Sequence, residues 1–261
     1  MPDTEQRYVI QSVSKALTLL KVFSPDRPEL SLTEISRCLD LNPSTAFRLI
    51  ATLQAHAFVE QDPENRRYRL GVACLELGSV FLSQSDIRQQ VLPILVALRD
   101  DCKETVHLAR LVGSEIVYLE KLDGLLAIGI MGSRIGRRSP AHCTGLGKAM
   151  LAYRPESEIR QRYAESGLRR FTPNTITDLD EFLDELVHIR EHGYAIDNEE
   201  HELDVKCIAV PLWDHRQDVV GAISIAGPAE RISRGIAEQG MVSKVKEAGR
   251  AISARLAGQS L

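Results

Sequence analysis

Apolar residues recur at Val13, Ala16, Leu17, Leu20 and Phe23, the three-and-four spacing of one helical face, until Pro25 interrupts it. A first helix over Ser12 to Phe23 is predicted. Ser31-Leu32-Thr33-Glu34 has the spacing of a capping box, in which serine and glutamate each satisfy a free backbone N–H, and Leu32, Ile35 and Leu39 form the inner stripe of a short second helix. After Leu41, Asn42 can cap a third helix and Pro43 occupies its first position, where a missing N–H costs nothing. Ala46, Leu49, Ile50 and Leu53 then point inward, leaving Ser44, Thr45 and Arg48 outside.

Short strands are expected at Phe58 to Gln61 and Arg67 to Leu70, around an Asp62-Pro63-Glu64-Asn65-Arg66 turn. Helical periodicity returns from Val72 to about Gln90 with no Gly/Ser-rich or proline-rich tract, which predicts a helical linker. A helix follows through Ile87, Val91, Ile94, Leu95 and Leu98, with Pro93 as a possible kink. Further strands are expected at Thr105 to Leu111, Glu115 to Leu119, Ala127 to Met131, Tyr194 to Asp197, Lys206 to Trp213 and Val219 to Ala226. Helices are expected at Gly147 to Tyr153, Pro155 to Glu165, Leu179 to His192 and Ile236 to Leu256. The hairpin at Asp214-His215-Arg216-Gln217 implies an antiparallel sheet, so the fold class is α+β. The division is residues 8–72, 73–90 as linker helix, and 91–261.

The 261 residues are 44% hydrophobic and 26% charged, enough apolar material for a sizeable core. No stretch approaches the roughly 20 apolar residues that span a bilayer, and Met1 to Gln6 lacks the pattern of a secretory signal, so a cytoplasmic protein is expected. Five scattered cysteines form no C-x-x-C pair, which suggests neither a disulfide framework nor a zinc ribbon. Residues up to Val72 are net neutral and the remainder carries −4. A DNA-binding role would therefore need a small, well-aimed basic surface and more than one copy of the chain.

Two short helices joined by Asp40-Leu41-Asn42, the second capped and carrying small polar residues, match helix-turn-helix geometry. The start of such a helix must approach bases and phosphates closely. Ser44 and Thr45 are short donors there, Arg48 can reach guanine edges or a phosphate, and the free N–H groups from Asn42 onward can hold a phosphate. Arg66, Arg67 and Arg69 would set the hairpin, as a wing, against the DNA backbone or the minor groove. The alternative is a three-helix bundle with a solvated outer face.

These residues resemble the IclR family of bacterial transcriptional regulators over nearly the whole chain. In the N-terminal part the resemblance lies in Ser12 to Leu17, Leu30 to Ile35, Ser44-Thr45-Ala46-Phe47-Arg48-Leu49 and Tyr68 to Gly71. In the C-terminal part it lies in Glu104 to Leu108, Pro140 to Ala149, Thr172 to Ile176, Arg190 to Ala195, Asp197 to Glu200, Cys207 to Pro211 and Ser224 to Pro228. The resemblance implies an N-terminal winged helix-turn-helix that binds double-stranded operator DNA, a helical linker, and a C-terminal GAF-like domain with an antiparallel sheet and flanking helices. It further implies a homodimer or dimer of dimers, and repression or activation tuned by a small effector, commonly a carboxylate, aromatic or sugar acid. No cofactor, metal or membrane is implied. The matching effector contacts would be the Gly145-Leu146 backbone, Asp197, Cys207 and Ser224, walled by Ile128 and Met131. Asp204 and Lys206, before Cys207, and Ala226 depart from the family's usual residues, so no particular member's ligand carries over.

Gly145-Leu146-Gly147-Lys148 opens a helix whose unpaired N–H groups could seat a carboxylate. It is not a phosphate-binding Walker loop, since His142 and Ala149 stand at required positions. Asp197 suits a ligand hydroxyl, or else caps a turn. Ser224 faces opposite to Ile223 and Ile225, onto a pocket or into water. Glu199, Glu200 and His201 read as a solvated turn rather than a metal cluster. His107 reads as a structural histidine, and Arg134, Arg137 and Arg138 as a solvated or subunit-contact turn, with an anionic effector as the lesser alternative. Cys143 and Cys207, with His142, invite a zinc or thiol-redox hypothesis, against the commoner inert state of a buried cysteine. A cysteine-dependent enzyme or a protein-coupled sensor is thus the alternative to a regulator. No nucleophile, base and orienting acid stand at motif spacing.

Overall fold

The computed structural model describes residues 8–83, 86–126, 132–238 and 240–258. The strand expected at Ala127 to Met131 lies outside them, and so do the wall candidates Ile128 and Met131. Two compact units divide the chain, Met1–Gln84 and Ser85–Leu261. No helix among the described residues is long and apolar enough to cross a membrane.

In the first unit α1 (Gln11–Leu20), α2 (Leu32–Cys38) and α3 (Pro43–Ala55) precede the hairpin β1 (Val59–Gln61) and β2 (Tyr68–Leu70). The caps follow the side-chain chemistry. Glu34 Oε2 accepts from Ser31 N at 2.7 Å while Ser31 Oγ accepts from Glu34 N at 3.3 Å, and Asn42 Oδ1 accepts from Thr45 N at 2.8 Å with Pro43 in the first turn. Leu19, Leu30, Ile35, Ile50, Leu53, Val59 and Tyr68 form the core. The stripe expected on α1 is split: Ala16 and Leu20 pack on this core, but the fully buried anchor is Leu19, and Val13 and Leu17 are exposed. Periodicity finds an apolar row without saying which of two rows meets the core. Helix α4 (Val72–Ser83) also leaves Val72, Leu75, Leu77, Val80 and Phe81 exposed.

The second unit begins with α5 (Asp86–Cys102), so the helical stretch expected from 72 to 90 is divided between α4 and α5. Strands β3 (Thr105–Val112), β4 (Glu115–Leu122) and β5 (Arg138–Pro140) come next, then α6 (Gly145–Leu151), α7 (Glu156–Tyr163) and α8 (Leu179–His192). After β6 (Ala195–Asn198), β7 (Val205–Trp213) and β8 (Val219–Pro228) the chain ends in α9 (Ala229–Glu238) and α10 (Met241–Ala257). The single helix expected over Ile236 to Leu256 is therefore two, broken at Gly240, whose φ of +63° is left-handed. β5 was not expected, being only three residues long with no alternating pattern.

All sheet pairings are antiparallel, in the order β5-β4-β3-β8-β7-β6. Period-two alternation sorts bulk from smallness across this sheet. Val106, Leu108, Ile208, Val210, Ile223 and Ile225 point to one face, in a core shared with α5, α9 and α10. The neighbouring positions His107, Ala109, Cys207, Ala209, Ala222, Ser224 and Ala226 belong to the other face, over which α6 lies. Small side chains under a short helix leave room for a cavity.

Candidate functional site

At the start of α3, Asn42, Ser44, Thr45 and Arg48 lie within two turns. Ser44 Oγ donates to Asn42 Oδ1 at 2.9 Å, so the cap holds Ser44 as well as Thr45. Arg48 is exposed and its guanidinium has no hydrogen bond or ion pair among the described residues. Beside it Phe47 is 51% exposed on the same polar side, a candidate contact that the inward stripe did not single out. An aromatic residue off the apolar row of an otherwise polar face was the available signal.

The three wing arginines are not equivalent. Arg67 donates to Glu34 Oε2 at 2.7 Å and to Glu29 O at 3.2 Å, tying the wing to the cap of α2. The two Ser31 hydrogen bonds, with Arg67 next, hold the Glu34 carboxyl down at about 2. Arg69 donates to Glu60 Oε1 at 2.5 Å and approaches Glu29 Oε1 at 3.6 Å. Arg66, at the turn with φ +59°, has no side-chain partner among the described residues. The expected basic tip thus reduces to one unengaged arginine, with Arg67 and Arg69 held inside the module by the neighbouring carboxylates of Glu34, Glu29, Glu60 and Asp62.

In the second unit the small-residue face of the sheet and the start of α6 enclose a cavity of about 110 Å3. Cross-strand register builds its floor: Thr105, Ala226, Cys207 and Asp197 form one row, and His107, Ser224 and Ala209 the next. Leu146, Asp197, Cys207 and Ser224 all line it. Gly145 is not among the lining residues. A Cβ there would stand 2.6 Å from Cys207 Sγ, and one on Gly147 would stand 2.1 Å from Ala141 O, so both glycines are needed for α6 to approach this closely. Thr144 caps the helix, Oγ1 accepting from Gly147 N at 3.3 Å.

The cavity also collects residues that sequence reading assigned elsewhere. His107 is buried beneath it, with Nε2 at 2.8 Å from Ser133 Oγ and Nδ1 at 3.5 Å from Ser224 Oγ. Burial, reinforced by the charge of Lys121, pushes its pKa down to about 3, so the ring is neutral near pH 7. Arg137, whose Nη1 donates to Gly132 O at 2.7 Å, and the half-buried His201 are further lining residues. The turn around Gly136 therefore delivers a cation to the cavity. Nothing local marks Arg137 apart from Arg134 and Arg138; the β4–β5 pairing aims it.

Asp197 is buried, and its Oδ1 accepts from Glu200 N at 2.8 Å. Burial, with the Glu200 charge adding to it, raises its pKa to about 7. Glu200 corrects the expectation of a solvated turn: it is 3% exposed, and its Oε1 accepts from Lys148 Nζ at 2.6 Å. Glu185 Oε1 accepts from the same nitrogen at 2.8 Å. Burial opposes the Lys148 charge, but the two carboxylates overcome it and raise its pKa. Sequence proximity concealed this pair, since the partner of Glu200 lies 52 residues away. Burial pushes the thiols of Cys143 and Cys207 far up, so both stay protonated and poorly nucleophilic at neutral pH.

The chain is similar to known proteins in sequence and in fold. Residues 12–63 match the IclR helix-turn-helix domain, and residues 80–254 match the bacterial transcriptional regulator IclR C-terminal domain. The HTH-type transcriptional regulator XynR of Escherichia coli (strain K12) is 40% identical over 224 residues, which is 86% of this chain and 88% of that protein. The crystal structure of a putative IclR transcriptional regulator from Silicibacter sp. TM1040 superposes with a TM-score of 0.83 at 31% identity, covering 96% of this chain and 98% of that one. An IclR homolog from Microbacterium hydrocarbonoxydans, crystallised in complex with 4-hydroxybenzoate, gives a TM-score of 0.81 at 25% identity, covering 95% and 100%.

Proposed function

The chain belongs to the IclR family of bacterial transcriptional regulators, a non-enzymatic family, and from that premise we propose which residues read its operator and which acid it answers to. The module is residues 8–72, the coupling segment residues 73–90, and the sensor residues 91–261. Asn42, Ser44, Thr45 and Arg48 enter the major groove, and Arg66 reaches the adjoining backbone. Arg67 and Arg69 act mainly by holding the wing in place.

The effector is a small organic acid seated in the sheet cavity. The observation that carries this reading is the convergence of Arg137, neutral His107, Ser224 and Asp197, whose pKa burial raises, on one enclosed volume. Arg137 suits a carboxylate; His107, Ser224 and Asp197 suit a hydroxyl or carbonyl oxygen. About 110 Å3 is small beside the roughly 300–1,000 Å3 of drug-sized sites, which favours a compact hydroxy, oxo or aromatic acid. The relative holding 4-hydroxybenzoate binds an acid of that class.

The working unit is a homodimer or a dimer of dimers. Exposed Tyr8, Ile10, Val13 and Leu17 at α1 and Leu75, Val80 and Phe81 on α4 supply apolar surface for pairing the N-terminal units. Two modules related by a twofold axis would read a pseudo-palindrome. The test is fluorescence anisotropy on DNA upstream of its own and neighbouring genes, at two salt concentrations, with unrelated competitor and a panel of small acids. Competitor-resistant binding that one acid shifts supports the reading; weak binding equal for all sequences refutes it.

A further inference from the structure

Helix α8 ends in an arrangement outside the effector cavity. His188, Glu191 and His192 stand at i, i+3 and i+4, one face of the last turn. One ligand atom from each lies within 4.8 Å of the others. We propose that this turn binds a divalent transition-metal ion of the zinc class, with both imidazoles and the carboxylate as ligands.

A backbone contact fixes the tautomer of His192. Its Nδ1 lies 2.8 Å from the carbonyl oxygen of His188. A carbonyl can only accept, so Nδ1 carries the proton and, in the neutral ring, the lone pair falls on Nε2. That backbone hydrogen bond on the far nitrogen is the support usual for metal-bound histidine. The ring centroids of His188 and His192 are 5.4 Å apart, and His188 Nδ1 is 3.9 Å from Glu191 Oε2.

Bonds of roughly 2.0–2.2 Å require these atoms to draw closer than they stand. The side chains of His188 and Glu191 are 70% and 65% exposed, so rotation about their own bonds achieves this without disturbing the core. Imidazole donors select zinc, nickel or copper over magnesium and calcium. The carbonyl end of a helix also favours a cation. Two other charges bear on the turn: Lys246 Nζ donates to His192 O at 2.8 Å, and Glu185 on α8 is engaged by Lys148. Lys246 sits on the main-chain oxygen of His192 and not on a side-chain ligand atom.

His188 and His192 also line a cavity of about 500 Å3 together with Tyr194, Asn198 and Lys206. The ion would occupy its rim, with space for water or a small anion in the remaining coordination positions.

Tag-free, chelator-treated full-length protein titrated calorimetrically with zinc chloride should take up one ion per chain at this site. His188→Ala and His192→Ala should each weaken uptake at least about tenfold, Glu191→Gln less, with circular dichroism unchanged. Cobalt(II) added instead should give a visible spectrum without thiolate charge-transfer bands. Zinc uptake equal in the parent and the His188→Ala/His192→Ala variant would overturn the proposal, as would thiolate bands. Equal calcium uptake would overturn the assignment to the zinc class.

Discussion

Lys148 and Glu200 meet at 2.6 Å with their side chains 1% and 4% exposed, joining the first turn of α6 to the turn that follows β6. Glu200 also donates its backbone N–H to Asp197, so one buried ion pair supports the wall of the effector cavity. Its second carboxylate oxygen, Oε2, has no hydrogen-bond partner among the described residues. The geometry around Lys148 must therefore compensate the desolvation of both charges.

Replacing only the lysine tests that dependence. Lys148→Met leaves Glu200 buried without its cation, and breaking a buried pair from one side costs about 3–5 kcal/mol. Urea denaturation should report a loss of that order in Lys148→Met. The Lys148→Met/Glu200→Gln variant should recover much of it, because the fully buried carboxylate is then neutral and the remaining partner, Glu185, is 29% exposed and keeps access to water.

Asp197 gives the second unit a pH dependence of definite sign. Its folded pKa of about 7 lies above the ordinary 3.8, so the folded state holds a proton that the unfolded chain releases. The associated stability is fully present below pH 3.8 and is lost as pH rises through 7. Asp197→Asn abolishes this component. The stability of the parent relative to Asp197→Asn should fall between pH 4 and pH 8; a constant difference would show that Asp197 titrates normally.

The arginines of the first unit should separate by partner. Arg48→Ala should cost about 1–3 kcal/mol in operator binding, and Arg66→Ala should reduce the salt slope by about one phosphate contact. Arg69→Ala, which removes a residue engaged by Glu60 and Glu29, should leave operator affinity near that of the parent. Anisotropy titrations at several salt concentrations distinguish the three. Equal losses in all of them would mean that the wing arginines exchange their carboxylate partners for DNA.

What the sequence made legible was local. The Ser31–Glu34 box, the Asn42 cap and the hairpin each rest on residues within a few positions, and each is present in the structure. Alternation at Ile223-Ser224-Ile225 likewise foretold that Ser224 turns away from the bulky core. Convergence across the fold was not legible. His107 reaches Ser224 through the pairing of β3 with β8, Arg137 is aimed by a short strand with no pattern of its own, and Lys148 finds Glu200 only after α6 docks on the sheet. Partners so distant in the chain leave no spacing to read. The division of the last helical stretch at Gly240 was missed for another reason: one glycine is tolerated within a helical pattern, and only its positive φ reveals the break.

The approach of α6 to the sheet supplies the last prediction. A methyl group on Gly145 would stand 2.6 Å from Cys207 Sγ, closer than such atoms can come. Gly145→Ala must therefore push α6 or β7 outward, and overpacking of this kind costs about 1–3 kcal/mol. The obstacle is one sulfur atom, so Cys207→Ala should restore most of the stability lost in Gly145→Ala. A double-mutant cycle by denaturant unfolding reads the coupling directly. Additive losses would place the strain of Gly145→Ala in the backbone, whereas recovery would show that Cys207 is held for its fit beneath α6.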